Sequence, residues 1–408
     1  MNEATRLVCT TRAADLDPGD PGADRTVTAF RSPRRELRGV GEALRIELPA
    51  PWTDHIGRVT EVLRSIPTDD EVRTPGSGPV AFGALPFDRR AAATLVVPAV
   101  VFGRSAEGTR WVSTVAAQGE GPATADAVDT DGVPAPHDVR VRSVVSAEDW
   151  TDSVAAATQR IRAGELTKVV LARELQIDTD VPLDAASLLD RLRRLHPAAL
   201  CFAVDGFVGA SPELLVSRVG DIVRAQPMAG TTPRTGEPEA DQRRAAELLA
   251  SDKNRVEHQI TIDMVHDTLL PWCSFLDAEP APSVVPAGPV QHLATIVEGR
   301  LSHPAPPVLD LVAALHPTPA VGGWPRDRAL EVIEELEPAD RGRYAGPVGW
   351  TDAEGNGAWA VGIRSVQLDG TRARLFTGVG VVADSDPLAE LEETRAKAQA
   401  LLGSLARL

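Results

Sequence analysis

The stretch LCFAVDGFVGASPELLVSRVGDIVRA (residues 200–225) decides the fold class. It reads as strands at Leu200–Val204, Glu213–Arg218 and Asp221–Ala225, with no helical period between them. Upstream, KVVLARELQI (168–177) is another β-rich run, and downstream Ala358–Gln367 and Ala373–Val382 form a further cluster. Helices are expected over Glu239–Ala250, Lys253–Leu270, Arg326–Leu336 and Leu388–Leu402. Strands grouped with strands predict an α+β protein with mainly antiparallel sheets rather than a βαβ alternation. Ahead of these, Ser146 and Asp149 resemble a capping box. Trp150, Val154, Ala157 and Ile161 then follow at helical spacing, and Gly164 suits the helix end.

The amino-terminal part is harder to read. A strand is expected at Leu37–Ile46, then a helix carrying Ile56, Val59, Val62 and Leu63 at helical spacing. Residues 68–80 read as loop and 81–102 as strands. The first 30 residues show no period and are expected to pack loosely. The Pro/Gly-rich residues 118–138 are expected to form an exposed connection.

A chain of 408 residues has the length of two to three domains or of one large enzyme domain. Lys and Arg total 42 against 58 Asp and Glu, a net charge of −16. Such a chain is a poor general binder of nucleic acid or anionic membrane. An anionic substrate would need Arg, Lys or a metal gathered locally. Cys9, Cys201 and Cys273 are far apart and form no CxxC, so neither a disulfide framework nor a cysteine zinc site is expected. The longest apolar run, AAATLVVPAVVF (91–102), is broken by Pro98 and is too short to span a bilayer. No signal-peptide pattern opens the chain. These features predict a soluble cytoplasmic enzyme, with monomer as the default state.

Four segments carry candidate chemistry, each with a plainer alternative. In Gly209-Ala210-Ser211-Pro212-Glu213, Pro212 fixes the backbone before a carboxylate. Taken alone, Glu213 reads as an exposed turn glutamate. In Met228-Ala229-Gly230-Thr231-Thr232, a Gly-Thr turn offers backbone N–H groups to an anion, but such turns are common. In SDKNRVEH (251–258), Ser251 or Asp252 suits a helix cap, and Val256, Ile260 and Met264 suggest an apolar side. No second His follows at the spacing of a zinc HExxH. In GVGVVADSDPLAELEETRAK (378–397), Pro387 suits the first helical position, and Glu393 with Lys397 reads as an i,i+4 surface pair.

Taken together and in order, these segments resemble the chorismate-utilising enzymes, and within them the isochorismate synthases. GALPFDRR (83–90), VQHLAT (290–295), LHPTPAVGG (315–323), YAGPVGW (344–350) and AVGIRS (360–365) carry the same resemblance. Residues 1–75 contribute nothing to it. The resemblance implies the large chorismate-binding-enzyme fold, two layered antiparallel sheets flanked by helices. Residues 1–140 would be its divergent amino-terminal part and 141–408 its catalytic part.

The resemblance also implies the chemistry. Water adds at C2 of chorismate, the C4 hydroxyl leaves and the ring double bonds shift. By resemblance Lys168 is the base and Glu213 the acid, which requires a neutral amine beside a protonated carboxyl. Mg²⁺ is the implied cofactor, held by Glu257 and Glu393, with Glu390 and Asn254 one turn away in support. Arg364, Tyr344 and the Gly378 backbone match positions around the pyruvyl carboxylate. Gly230, Thr231, His292 and Lys397 are further substrate-pocket candidates. The ammonia-using branches resemble each other in lacking Lys at position 168. That leaves isochorismate synthase, with salicylate synthase as the alternative and an inert chorismate-binding homologue behind it. Gly322 departs from the pattern, since many relatives carry a larger residue there. The pathway served is open among menaquinone, siderophore and salicylate formation.

Overall fold

The structure, a computed structural model, describes residues 6–15, 28–119, 136–288 and 290–405. Most of the 118–138 connection therefore lies outside the described residues. Among those described, the strands form sheets of thirteen, nine and three members. Nearly all pairings are antiparallel. The exception is Leu7–Ala13 beside Thr68–Asp70, which run parallel. Strands from both halves of the sequence enter both large sheets, so neither half buries its core alone.

The two large sheets are layered. Phe30, Trp111, Phe202 and Phe207 of the thirteen-stranded sheet meet Phe82, Val348 and Trp350 of the nine-stranded one in a single buried cluster. Fully burying such side chains stabilises by about 1.5–3 kcal/mol each. Gly103 is needed in this layer, because a Cβ there would stand 2.0 Å from the Trp111 ring. A second cluster packs the helices Ala147–Arg162, Asp252–Leu269, Val308–Leu315 and Arg326–Leu336 against the sheets.

Several expectations hold in detail. Ser146 Oγ accepts from Asp149 N at 3.0 Å, and the helix ends before Gly164 at φ +81. Others are corrected. Leu7–Ala13 and Thr28–Ser32 are strands with Cys9, Thr11 and Phe30 buried, so this part of the first 30 residues is well packed. The expected strand Leu37–Ile46 is two, Arg35–Val40 and Leu44–Leu48, joined through Gly41 at φ +64. The helix Asp252–Leu269 buries His258, Thr261, Ile262, Val265 and Leu269, while Val256 is exposed. The helix Val308–Leu315 is not among the expected elements, although Val308, Leu311, Val312 and Leu315 are buried at helical spacing; at eight residues it is too short for periodicity to separate from a buried strand. The three cysteines are free. No helix among the described residues is long and apolar enough to cross a membrane.

Candidate active site

The site lies where the chain changes sheets. Strand Phe207–Ser211 belongs to the larger sheet and Leu214–Val219 to the second, so Pro212 and Glu213 form the crossing. The expected single strand Ala358–Gln367 crosses likewise. Gly357–Val361 lies in the second sheet and Ser365–Asp369 in the larger one. Between them Arg364 sits at φ +53, a left-handed backbone that is strained for a residue with a Cβ. The two crossings are neighbours, since Gly209 pairs with Ser365.

Lys168 opens the long strand Lys168–Thr179. Alternation puts Lys168, Val170 and Ala172 on one face. Opposite Val170 and Ala172 stand Gly380 and Gly378 of the strand Arg372–Val381. These glycines leave the floor open. A Cβ on Gly380 would lie 2.8 Å from Lys168 Cε, and one on Gly378 would lie 3.2 Å from the Tyr344 hydroxyl. The helices Asp252–Leu269 and Pro387–Leu405 supply the acidic wall. Ser251 caps the first, accepting from Asn254 N at 3.4 Å, and Asp386 caps the second, accepting from Ala389 N at 2.8 Å.

Every residue singled out from the sequence lines one cavity of about 280 Å³. Lys168, Glu213, Glu257 and Glu393 share it with Gly230, Thr231, His292, Tyr344, Arg364, Gly378, Lys397, Glu390 and Asn254. Glu213 is 3% exposed, which overturns the plain reading of an exposed turn glutamate. Burial pushes its carboxyl up to about 8, against opposing effects from the Met228 N–H and the Lys168 charge. The Gly-Thr segment is a bulged strand rather than a turn, with Gly230 at φ +75.

Buried His292 is driven to a pKa of about 3 by burial first, then by Arg364 and Lys397, so its ring is neutral. Its Nδ1 lies 3.3 Å from the Gly230 carbonyl, which can only accept, so Nδ1 carries the proton. Nε2 then accepts from Arg364 Nη2 at 3.4 Å. Burial lifts the Glu393 carboxyl, but Lys397, 2.6 Å away, outweighs it and leaves the group below its ordinary value. Lys397 also donates to the Gly378 carbonyl at 2.9 Å, so the pair read as surface charge is a pocket wall. Lys168 Nζ lies 3.5 Å from Glu257.

The lining carries Lys168, Arg364 and Lys397 against Glu257, Glu390 and Glu393, with Glu213 held as an acid. With Lys168 charged these formal charges balance; with the neutral amine that proton acceptance needs, the lining is one charge negative, and a dianionic ligand adds two more. A divalent cation would offset the ligand's two charges, and Glu257 and Glu393 are hard oxygen donors that could hold it. Among the described residues no group of three or more His, Cys, Asp or Glu forms a closed metal cage.

Residues 21–406 match the family described as chorismate binding enzyme. The chain belongs to the chorismate-binding enzymes. Isochorismate synthase DhbC of Bacillus subtilis is 39% identical over 360 residues, covering 86% of this chain and 85% of that one. Isochorismate synthase MenF of the same organism is 35% identical over 370 residues, covering 83% and 77%. The solved structure of MenF, the menaquinone-specific isochorismate synthase of Escherichia coli, superposes with a TM-score of 0.82 at 25% identity. It covers 98% of this chain and 94% of its own. The family match begins at residue 21, well before residue 75, so the amino-terminal part carries more of the family pattern than its residues revealed.

In this chorismate-binding enzyme the pocket also includes Met228, Ala320, Val321, Ile363 and Gly380, to which no role was given from the sequence. Their signal was membership of the quoted motifs. Gly322 does not line the cavity. A Cβ there would meet Pro317 at 3.3 Å, so Ala320 and Val321 bound the space in its place. Gly380→Ala should displace the Lys168 amine and lower kcat by about 10- to 100-fold with little change in KM, as expected for a misplaced reacting group. Steady-state kinetics on the two proteins checks this.

Proposed function

We propose that the protein is an isochorismate synthase, isomerising chorismate by adding water at C2 and expelling the C4 hydroxyl. The observation that carries the reading is that Lys168 and a Glu213 kept protonated by burial line one pocket. The Lys168 amine accepts a proton from the attacking water. Glu213 gives its proton to the departing hydroxyl as the bond to C4 breaks and the ring double bonds move. One water enters and one leaves, so the net change is an isomerisation, and the reverse reaction exchanges the two roles.

Arg364, with neutral His292 accepting one of its N–H bonds, suits the pyruvyl carboxylate, with Tyr344 and the Gly378 backbone beside it. Gly230, Thr231 and Lys397 complete the polar wall. Glu257 and Glu393 would hold Mg²⁺, supported by Glu390 and Asn254. When bound, the ion would neutralise the ring carboxylate and draw electron density toward it.

Incubation with chorismate and Mg²⁺ should yield isochorismate without pyruvate. A chelator should abolish turnover, and added Mg²⁺ should restore it. Chromatographic separation of the products checks both. Salicylate with pyruvate would mean a salicylate synthase, and saturable chorismate binding without turnover an inert homologue. The genes beside this one decide between menaquinone, siderophore and salicylate formation.

A further inference from the structure

Arg364 stands between two cavities. One is the polar pocket described above. The other, about 470 Å³, shares only Pro212 and Arg364 with it. Its walls are mainly apolar, from Leu192, Leu195, Ala199, Ala210 and Leu401. They come from the end of the helix Ala185–Leu195, the residue before the strand Leu200–Val204, the strand Phe207–Ser211 and the helix Pro387–Leu405.

The polar side of this cavity is cationic. Arg234 lines it, but it is committed to Asp241 at 3.3 Å. His196 also lines it, and burial, with the Arg364 charge, keeps that ring neutral. Among the described residues Arg364 has no carboxylate in ion-pair range, and its Nε is buried without a hydrogen-bond partner. A guanidinium cannot shed its proton, so a buried one calls for an anion. An apolar chamber of this size with one unpaired cation at its inner end suits a flat ring bearing one carboxylate.

We propose that this second cavity binds a small aromatic carboxylate, its ring against Leu195, Ala199 and Leu401 and its carboxylate on Arg364. Substrate and this ligand would then compete for one guanidinium from opposite sides, and each must weaken the other by the same factor. The antagonism rests on the assignment of Arg364 to a substrate carboxylate; the binding itself does not.

Benzoate is the probe. Calorimetric titration should show it binding to the intact protein, and kinetics should show it raising the chorismate KM without lowering kcat. Leu195→Trp and Ala198→Trp, at partly exposed positions on the cavity wall, should weaken benzoate at least tenfold and leave the chorismate KM within twofold. Equal benzoate affinity in wild type and both variants would place it in the catalytic pocket and overturn the proposal. So would an absence of binding up to about 10 mM, weaker than any useful site. If the wild type does not turn over chorismate, the functional reading fails while calorimetry still decides the cavity.

Discussion

Lys168→Ala should lower chorismate turnover by about 10²–10⁴-fold, the usual contribution of a general base, while the protein stays folded. Lys168 is 4% exposed, yet it lines an open polar pocket rather than the apolar core. Water can occupy the vacated space, so no large cavity penalty is expected. Lys168→Arg separates charge from proton transfer. It places a permanent cation beside Glu257 that cannot accept a proton at neutral pH. Its KM should therefore stay near that of the wild type while kcat falls almost as far as in the alanine variant. Steady-state kinetics with circular dichroism and urea unfolding reads both. Retained turnover in either variant would remove the lysine from the mechanism, and loss of folding would make it structural.

Glu213→Gln should cut kcat by a similar 10²–10⁴-fold and at the same time stabilise the fold at alkaline pH. The carboxyl's ordinary value of 4.5 is raised to about 8 when folded. Below the lower value both states are protonated and no difference arises. Between the two values the unfolded chain releases the proton while the folded one retains it. Stability therefore falls as pH rises through this window. By pH 8 the accumulated cost is on the order of a few kcal/mol. Glutamine keeps the shape and never ionises, so the variant should gain over the wild type as pH increases. Urea midpoints around pH 6 and pH 8 measure the gain. The wild-type rate should also decline above about pH 8, as the acid loses its proton. A variant less stable than wild type at both pH values would show that the carboxyl is ionised in the folded protein.

Local patterns were readable wherever one element carried the whole signal. The Ser146 cap, the Pro387 helix start and the alternation that places Lys168 and Val170 on one face need only neighbouring residues. What failed needed information from elsewhere in the chain. Val308–Leu315 is a short apolar run whose helical form is decided by what it packs against, and the break at Arg364 exists because the chain changes sheets there. Of the expected apolar side Val256, Ile260 and Met264, Met264 is buried but Val256 is turned to solvent.

The amino-acid sequence by itself determined the α+β class and singled out thirteen candidate residues, because residue type and motif order are carried along the chain. Tertiary structure alone decided that they share a pocket, that Lys168 lies against Glu257 and that Glu213 retains its proton. The physical reason is desolvation. How far a carboxyl is removed from water depends on the sheets and helices that close over it, and these come from distant parts of the chain.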